Sequence, residues 1–192
     1  MEIYEGVKFT TEFLSNNSPK ISPNMEELIH WSKKFHEKNL CPDTPQGSGG
    51  NMSYRLNPSK DDFVITGTQT KMKDKLRPED FVLVKNVDLE KKTVSVSGKI
   101  EPSSESIMHY LTYNRCPDIN AIFHGHSDII LKKAKELSLP HTEIELPYGS
   151  LELAQAATKL ALKHKFFILK NHGFIAIGKT QDRAAYEALK FV

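Results

Sequence analysis

The chain has 192 residues, of which 39% are apolar and 26% charged, enough for one domain with a substantial core and too few for two. Its formal net charge of +2 is close to neutral, which excludes a general electrostatic attraction to nucleic acid or to a membrane surface. No apolar stretch approaches bilayer-spanning length, the first residues lack an apolar signal core, and two cysteines, Cys41 and Cys116, form no Cys-x-x-Cys pair. These features lead us to expect a soluble, reduced, cytoplasmic protein.

Residues 1–22 are polar and broken by Asn16-Asn-Ser-Pro and Ser22-Pro-Asn, and are expected to form an irregular N-terminal extension before one domain over 23–192. A helix is predicted after Asn24, with Met25, Leu28, Ile29 and Phe35 at helical spacing and Trp31 widening the stripe. Pro42 and Pro45 forbid its continuation. Gly47-Ser-Gly-Gly-Asn-Met-Ser follows. Its glycines permit positive φ and close backbone approach, although a turn before the strand Met52–Leu56 is the commoner reason for such a run.

Four short β-like runs come next: Met52–Leu56, Asp62–Thr66, Phe81–Lys85 and Thr93–Ser97. Their short connections predict mainly antiparallel pairing. A helix is predicted from Ser103 or Ser104, either serving as N-cap, to about Asn114. A strand over 119–124, helices over 128–137 and 150–164, strands 166–170 and 174–177, and a helix from Thr180 to Val192 complete the chain. The lysine clusters Lys71, Lys73, Lys75 and Lys91, Lys92 read as solvated loops. The order argues for an α/β domain with a largely antiparallel central sheet flanked by helices.

His124 and His126 close the run Ile119-Asn-Ala-Ile-Phe-His-Gly-His, and His172 ends the run Phe166-Phe-Ile-Leu-Lys-Asn-His-Gly. Residues two apart on a strand face the same side, so His124 and His126 project together, with Gly125 leaving the opposite side bare. A His-x-His pair alone is more often a surface or strand-end pair. A third histidine in a short turn between two strands favours a divalent transition metal held by three ligands, leaving an open coordination position.

Glu105 follows Pro102-Ser-Ser at the start of a helix, where backbone N–H groups and the helix dipole favour an anion. It is the best acid–base candidate, although a carboxylate there also stabilises a helix start without any chemistry. His30, His36, His141 and His164 are read as structural or surface residues. His109 is read likewise, though it lies one helical turn beyond Glu105 and within reach of the site.

Together these segments resemble the class II aldolase/adducin family, from about residue 25 to the C-terminus. The anchors are Gly50-Asn-Met-Ser, Phe63-Val-Ile-Thr, Leu76-Arg-Pro-Glu-Asp, Pro102-Ser-Ser-Glu, Pro117-Asp-Ile-Asn-Ala-Ile-Phe-His-Gly-His-Ser and Asn171-His-Gly. The resemblance implies a three-layer sandwich and a homotetramer with sites at subunit interfaces. It implies zinc, or another divalent transition metal, on His124, His126 and His172. It implies Glu105 as the catalytic carboxylate, and Asn51, Thr68, Ser103 and Ser104 around a substrate phosphate.

The implied activity is zinc-dependent cleavage of a small phosphorylated ketose through a metal-stabilised enediolate. The alternatives are a dehydratase of methylthioribulose-phosphate type, a sugar-phosphate epimerase and a non-catalytic adducin-like assembly module. Gly67 and Gln69 stand where the aldolases carry Pro and Gly in a Thr-Pro-x-Gly loop, which implies an altered anion pocket. Pro140-His-Thr-Glu-Ile lacks the tyrosine of the fuculose-phosphate aldolases, and Tyr186 is read as a helix-face residue.

Overall fold

The computed structural model describes residues 5–45, 47–57, 60–71 and 75–192. Lys73, one of the expected solvated lysines, lies outside them. Strand β1 (Thr10–Ser15) and helix α1 (Pro23–Glu37) come first. The Ser22 hydroxyl caps α1 by accepting from the Met25 N–H at 3.3 Å, and Pro23 occupies a first-turn position where its missing N–H is harmless. A small ribbon of β2 (Asp43–Thr44) and β3 (Gly47–Ser48) follows, then β4 (Gly50–Arg55), β5 (Phe63–Thr66), β6 (Phe81–Asp88) and β7 (Thr93–Ser97). The second half holds α2 (Ser106–Arg115), β8 (Ala121–Gly125), α3 (Asp128–Glu136), α4 (Leu151–Ala161), β9 (Phe166–Leu169), β10 (Gly173–Gly178) and α5 (Gln181–Leu189).

Eight strands form one sheet in the order β1-β7-β6-β5-β4-β8-β10-β9. Every described pairing in it is antiparallel except β1 with β7, which is parallel. The largely antiparallel expectation is therefore correct. The irregular extension expected over 1–22 is corrected in part, because Thr10–Ser15 is an edge strand of the main sheet. Its run Thr-Thr-Glu-Phe-Leu-Ser is too exposed and polar to show the alternation that marks a half-buried strand.

Alternate residues of the central strands feed two apolar clusters, one on each face of the sheet. Phe167, Leu169, Ile175 and Ile177 pack with Ile107 and Met108 of α2 and with Leu153, Ala154 and Ala157 of α4. Phe166, Ile168, Phe174 and Ala176 pack with Met25, Leu28 and Phe35 of α1, Ile130 of α3 and Ala184 and Ala188 of α5. Strands covered on both faces need no polar side, which is why Phe-Phe-Ile-Leu reads as a continuous apolar run. No described helix is long and apolar enough to cross a membrane.

Three boundaries depart from expectation. Helix α2 starts at Ser106, with Glu105 at the N-cap position and no side chain capping it, so neither Ser103 nor Ser104 is the cap. Helices α4 and α5 stop at Ala161 and Leu189, short of residues 164 and 192. Ser150 and Thr180 cap their starts, accepting from the Leu153 and Arg183 N–H groups at 3.1 and 3.2 Å. Cys41 and Cys116 are buried thiols, not joined in a disulfide.

Candidate active site

The site forms where β4, β8 and β10 lie side by side, with Asn51 directly opposite His124 on one flank and Ile175 opposite it on the other. His124 is 1% exposed on the face that α2 covers. His126 follows immediately after β8, and His172 hangs from the turn between β9 and β10, next to Asn171 at φ 57. Their rings converge, with centroid separations of 4.9 Å (His124–His126), 5.1 Å (His124–His172) and 4.9 Å (His126–His172). One nitrogen from each ring lies within 4.8 Å of the other two.

The hydrogen-bond pattern orients these nitrogens. The Phe174 carbonyl lies 2.8 Å from His124 Nδ1 and can only accept, so Nδ1 carries a proton and Nε2 is the ring nitrogen turned to the cluster. His124 Nε2 lies 3.0 Å from His126 Nε2. Two imidazole nitrogens facing each other beside a third suit a shared cation better than they suit each other, so the residues present fit a divalent metal. Gly125 does not leave the opposite side bare, as its alternation suggested. A Cβ there would stand 2.4 Å from the Leu40 carbonyl oxygen and 2.6 Å from the Phe174 ring, so the glycine permits a close approach.

Glu105 is 3% exposed and reaches the same point. Its Oε2 lies 3.1 Å from His124 Nε2 and its Oε1 lies 3.3 Å from His172 Nε2. The Asn51 amide donates to Oε2 at 2.9 Å, and the Glu105 backbone N–H donates to the Ser103 hydroxyl at 3.3 Å. A cleft of about 450 Å³ opens over this cluster, and all eight residues singled out from the sequence line it: Asn51, Thr68, Ser103, Ser104, Glu105, His124, His126 and His172.

The cleft also takes in residues that sequence patterns did not single out, among them Glu145 and Tyr148. Glu145 accepts from Asn171 at 2.7 Å, beside the turn that carries His172. The Tyr148 hydroxyl accepts from the Glu5 N–H at 2.6 Å and donates to the Gly6 carbonyl at 3.2 Å. Both contacts join segments far apart in the chain, so no local pattern announces them. Gln69, which stands where the resemblance expects glycine, has φ 53. The loop thus keeps the left-handed backbone that glycine adopts freely, and carries a side chain there as well.

His109 is fully buried, and its Nδ1 lies 2.7 Å from the Ser53 hydroxyl. Burial pushes its pKa down to about 3, against an upward pull from the Glu105 carboxylate, with His124 adding to the downward push. It is therefore a neutral imidazole beside the site at ordinary pH.

Residues 26–192 match the family model for the class II aldolase and adducin N-terminal domain, and the chain belongs to that family. It is 32% identical over 153 residues to the L-fuculose phosphate aldolase of Methanococcus vannielii, covering 72% of this chain and 77% of that protein. It is 40% identical over 98 residues to the methylthioribulose-1-phosphate dehydratase of Pectobacterium carotovorum subsp. carotovorum, covering 51% of this chain. The alignment spans only 40% of that dehydratase's own length. A solved L-fuculose 1-phosphate aldolase superposes with TM-score 0.71 at 27% identity, over 90% of this chain and 84% of that one. The fold is that of a class II aldolase.

Proposed function

We propose that the chain is a metal-dependent lyase that cleaves a small phosphorylated ketose, with zinc as the metal and Glu105 as its acid–base group. The observation that carries this reading is the convergence of three histidine nitrogens within 4.8 Å of one another against a buried carboxylate, at the floor of an open cleft. His124, His126 and His172 would hold the metal, whose chemistry there is to polarise a carbonyl oxygen as a Lewis acid. Glu105 takes and returns the proton that moves as the carbon–carbon bond breaks, a contribution of typically about 10²–10⁴ in rate.

Asn51 holds the carboxylate in place through its amide N–H. Ser103, Ser104 and Thr68 offer hydroxyls to the substrate phosphate along the same cleft wall. A scaffold without chemistry has no use for a carboxylate buried against two of three converging imidazoles, which argues against a purely structural module.

Dehydration of a methylthioribulose-phosphate-type sugar is the second reading, favoured by the 40% identity over 98 residues to a dehydratase. The same carboxylate would then move the proton as a hydroxyl leaves. The test begins with metal analysis of purified wild type and His124→Ala. The expected result is about one zinc per chain, lost in the variant, with thermal stabilisation of the wild type when zinc is restored. Sugar phosphates are then screened for aldol cleavage and for dehydration. Absence of bound metal together with no stabilisation by zinc would sink the lyase reading.

A further inference from the structure

A buried polar seam runs between α2 and β4, starting at the cleft and leading away from it. On the strand it comprises Asn51, Ser53 and Arg55; on the helix, Glu105 at the N-cap position, then His109 and Tyr113. All six are 6% exposed or less. The two periodicities match, because four helical residues rise about 6 Å and two strand residues about 7 Å. Each helix residue therefore meets a strand residue. Asn51 bonds Glu105 at 2.9 Å. Ser53 bonds both His109 Nδ1 and the Tyr113 hydroxyl, each at 2.7 Å. Arg55 donates to the Tyr113 carbonyl and places its guanidinium 4.8 Å from the ring centroid.

Apolar packing alone would not register this helix. In α2, Ser106, Ile107, Met108, His109, Thr112 and Tyr113 are all buried, so no single apolar stripe selects one rotation about the helix axis. Hydrophobic contact is non-directional, whereas buried hydrogen bonds have fixed lengths and directions and are expensive to leave unmade. The N-cap residue, Glu105, makes no side-chain capping bond to the first turn.

We propose that Ser53, His109 and Tyr113 are positioning residues, whose hydrogen bonds fix the rotation and register of α2 on β4 and so aim the Glu105 carboxylate at the histidine cluster. The seam orders the backbone and leaves the carboxylate to the cleft. The proposal rests on Glu105 as the acid–base group for its consequence, while its geometry is testable in the absence of substrate and metal.

The experiment is carbon-13 NMR of the metal-free full chain labelled at the Glu carboxylate carbons. A second sample labelled at the histidine rings reports His124, His126 and His172. The Glu105 signal is assigned by its loss in Glu105→Gln. Ser53→Ala and His109→Leu are expected to displace the Glu105 signal and leave the three cleft imidazole signals in place. His109→Asn, which retains a polar group near the Nδ1 position, is expected to restore it. Three results would overturn the proposal: an unmoved Glu105 signal in both variants, carboxylate and imidazole signals moving together, or His109→Asn behaving like His109→Leu. Ser53→Ala removes one oxygen atom and carries the test by itself should His109→Leu fail to fold. Because no turnover is read, a wrong assignment of the reaction leaves the outcome interpretable.

Discussion

At the scale of single residues, the site pairs a buried carboxylate with three imidazoles, and a fourth imidazole lies behind it. Glu105→Gln keeps the size and one oxygen acceptor while removing the proposed base. We expect zinc content to be retained and turnover to fall by about 10²–10⁴, read by metal analysis alongside steady-state kinetics. His109 makes a separate prediction for stability. Its pKa falls from 6.5 to about 3 on folding, chiefly through burial. Between those values the unfolded chain binds a proton that the folded chain does not, so stability is fully present above pH 6.5 and declines as the pH falls towards 3. The upper bound of this effect is about 5 kcal/mol, at about 1.4 kcal/mol for each pH unit between the unfolded and folded values. Urea titrations should show the wild-type midpoint falling more steeply over that window than that of His109→Asn, which cannot titrate. Parallel curves would assign the acid sensitivity to other groups.

At the scale of elements, the histidine cluster depends on how closely β4, β8 and β10 approach. Gly50 pairs with Gly125 at the cleft end of the sheet and adopts φ +108, and a Cβ there would lie 2.4 Å from the His124 carbonyl oxygen. The expected penalty for Gly50→Ala is at least about 1–3 kcal/mol from backbone strain, with a further cost from the clash. Because that carbonyl belongs to His124, one of the three proposed metal ligands, zinc affinity is expected to fall along with the denaturant midpoint. A variant that loses stability and keeps full zinc affinity would separate the strand contact from the site. The Gly-Ser-Gly-Gly run was legible as a place for positive φ. That it brackets a histidine-bearing strand was not, because the neighbour is β8, some seventy residues away in the chain.

At the scale of the whole molecule, the N-terminal segment is part of the domain. Strand β1 covers the edge of β7 through a parallel pairing, Phe9 is buried in the core cluster, and Glu5 and Gly6 hold the hydroxyl of Tyr148 in the cleft wall. Deletion of residues 1–16 should therefore lower Tm by several degrees, by about 4–8 °C for each kcal/mol in a small domain and less in a larger one. It should also raise aggregation by uncovering the β7 edge. Differential scanning calorimetry and light scattering read both effects. An unchanged Tm would return the segment to the role of a loose extension, as its polar sequence suggests.

The sequence alone settled whatever is written in local periodicity and chemistry. The apolar runs ending in His124 and His172, the stripe of Met25, Leu28 and Phe35, and the helix starts near Ser150 and Thr180 all follow from rules spanning only a few residues. The eight candidate site residues, several of them named only through the family resemblance, all line one cleft. Tertiary structure decided what depends on partners distant in the chain. The edge strand β1 exists because β7 is there to pair with it. Tyr148 enters the cleft wall where Glu5 and Gly6 meet its hydroxyl. His109, read from sequence as an ordinary helix histidine within reach of the site, became a neutral and fully buried neighbour of Glu105 when β4 brought Ser53 against it. Hydrogen bonds and desolvation act through space, and a linear pattern records them only where the chain happens to be its own neighbour.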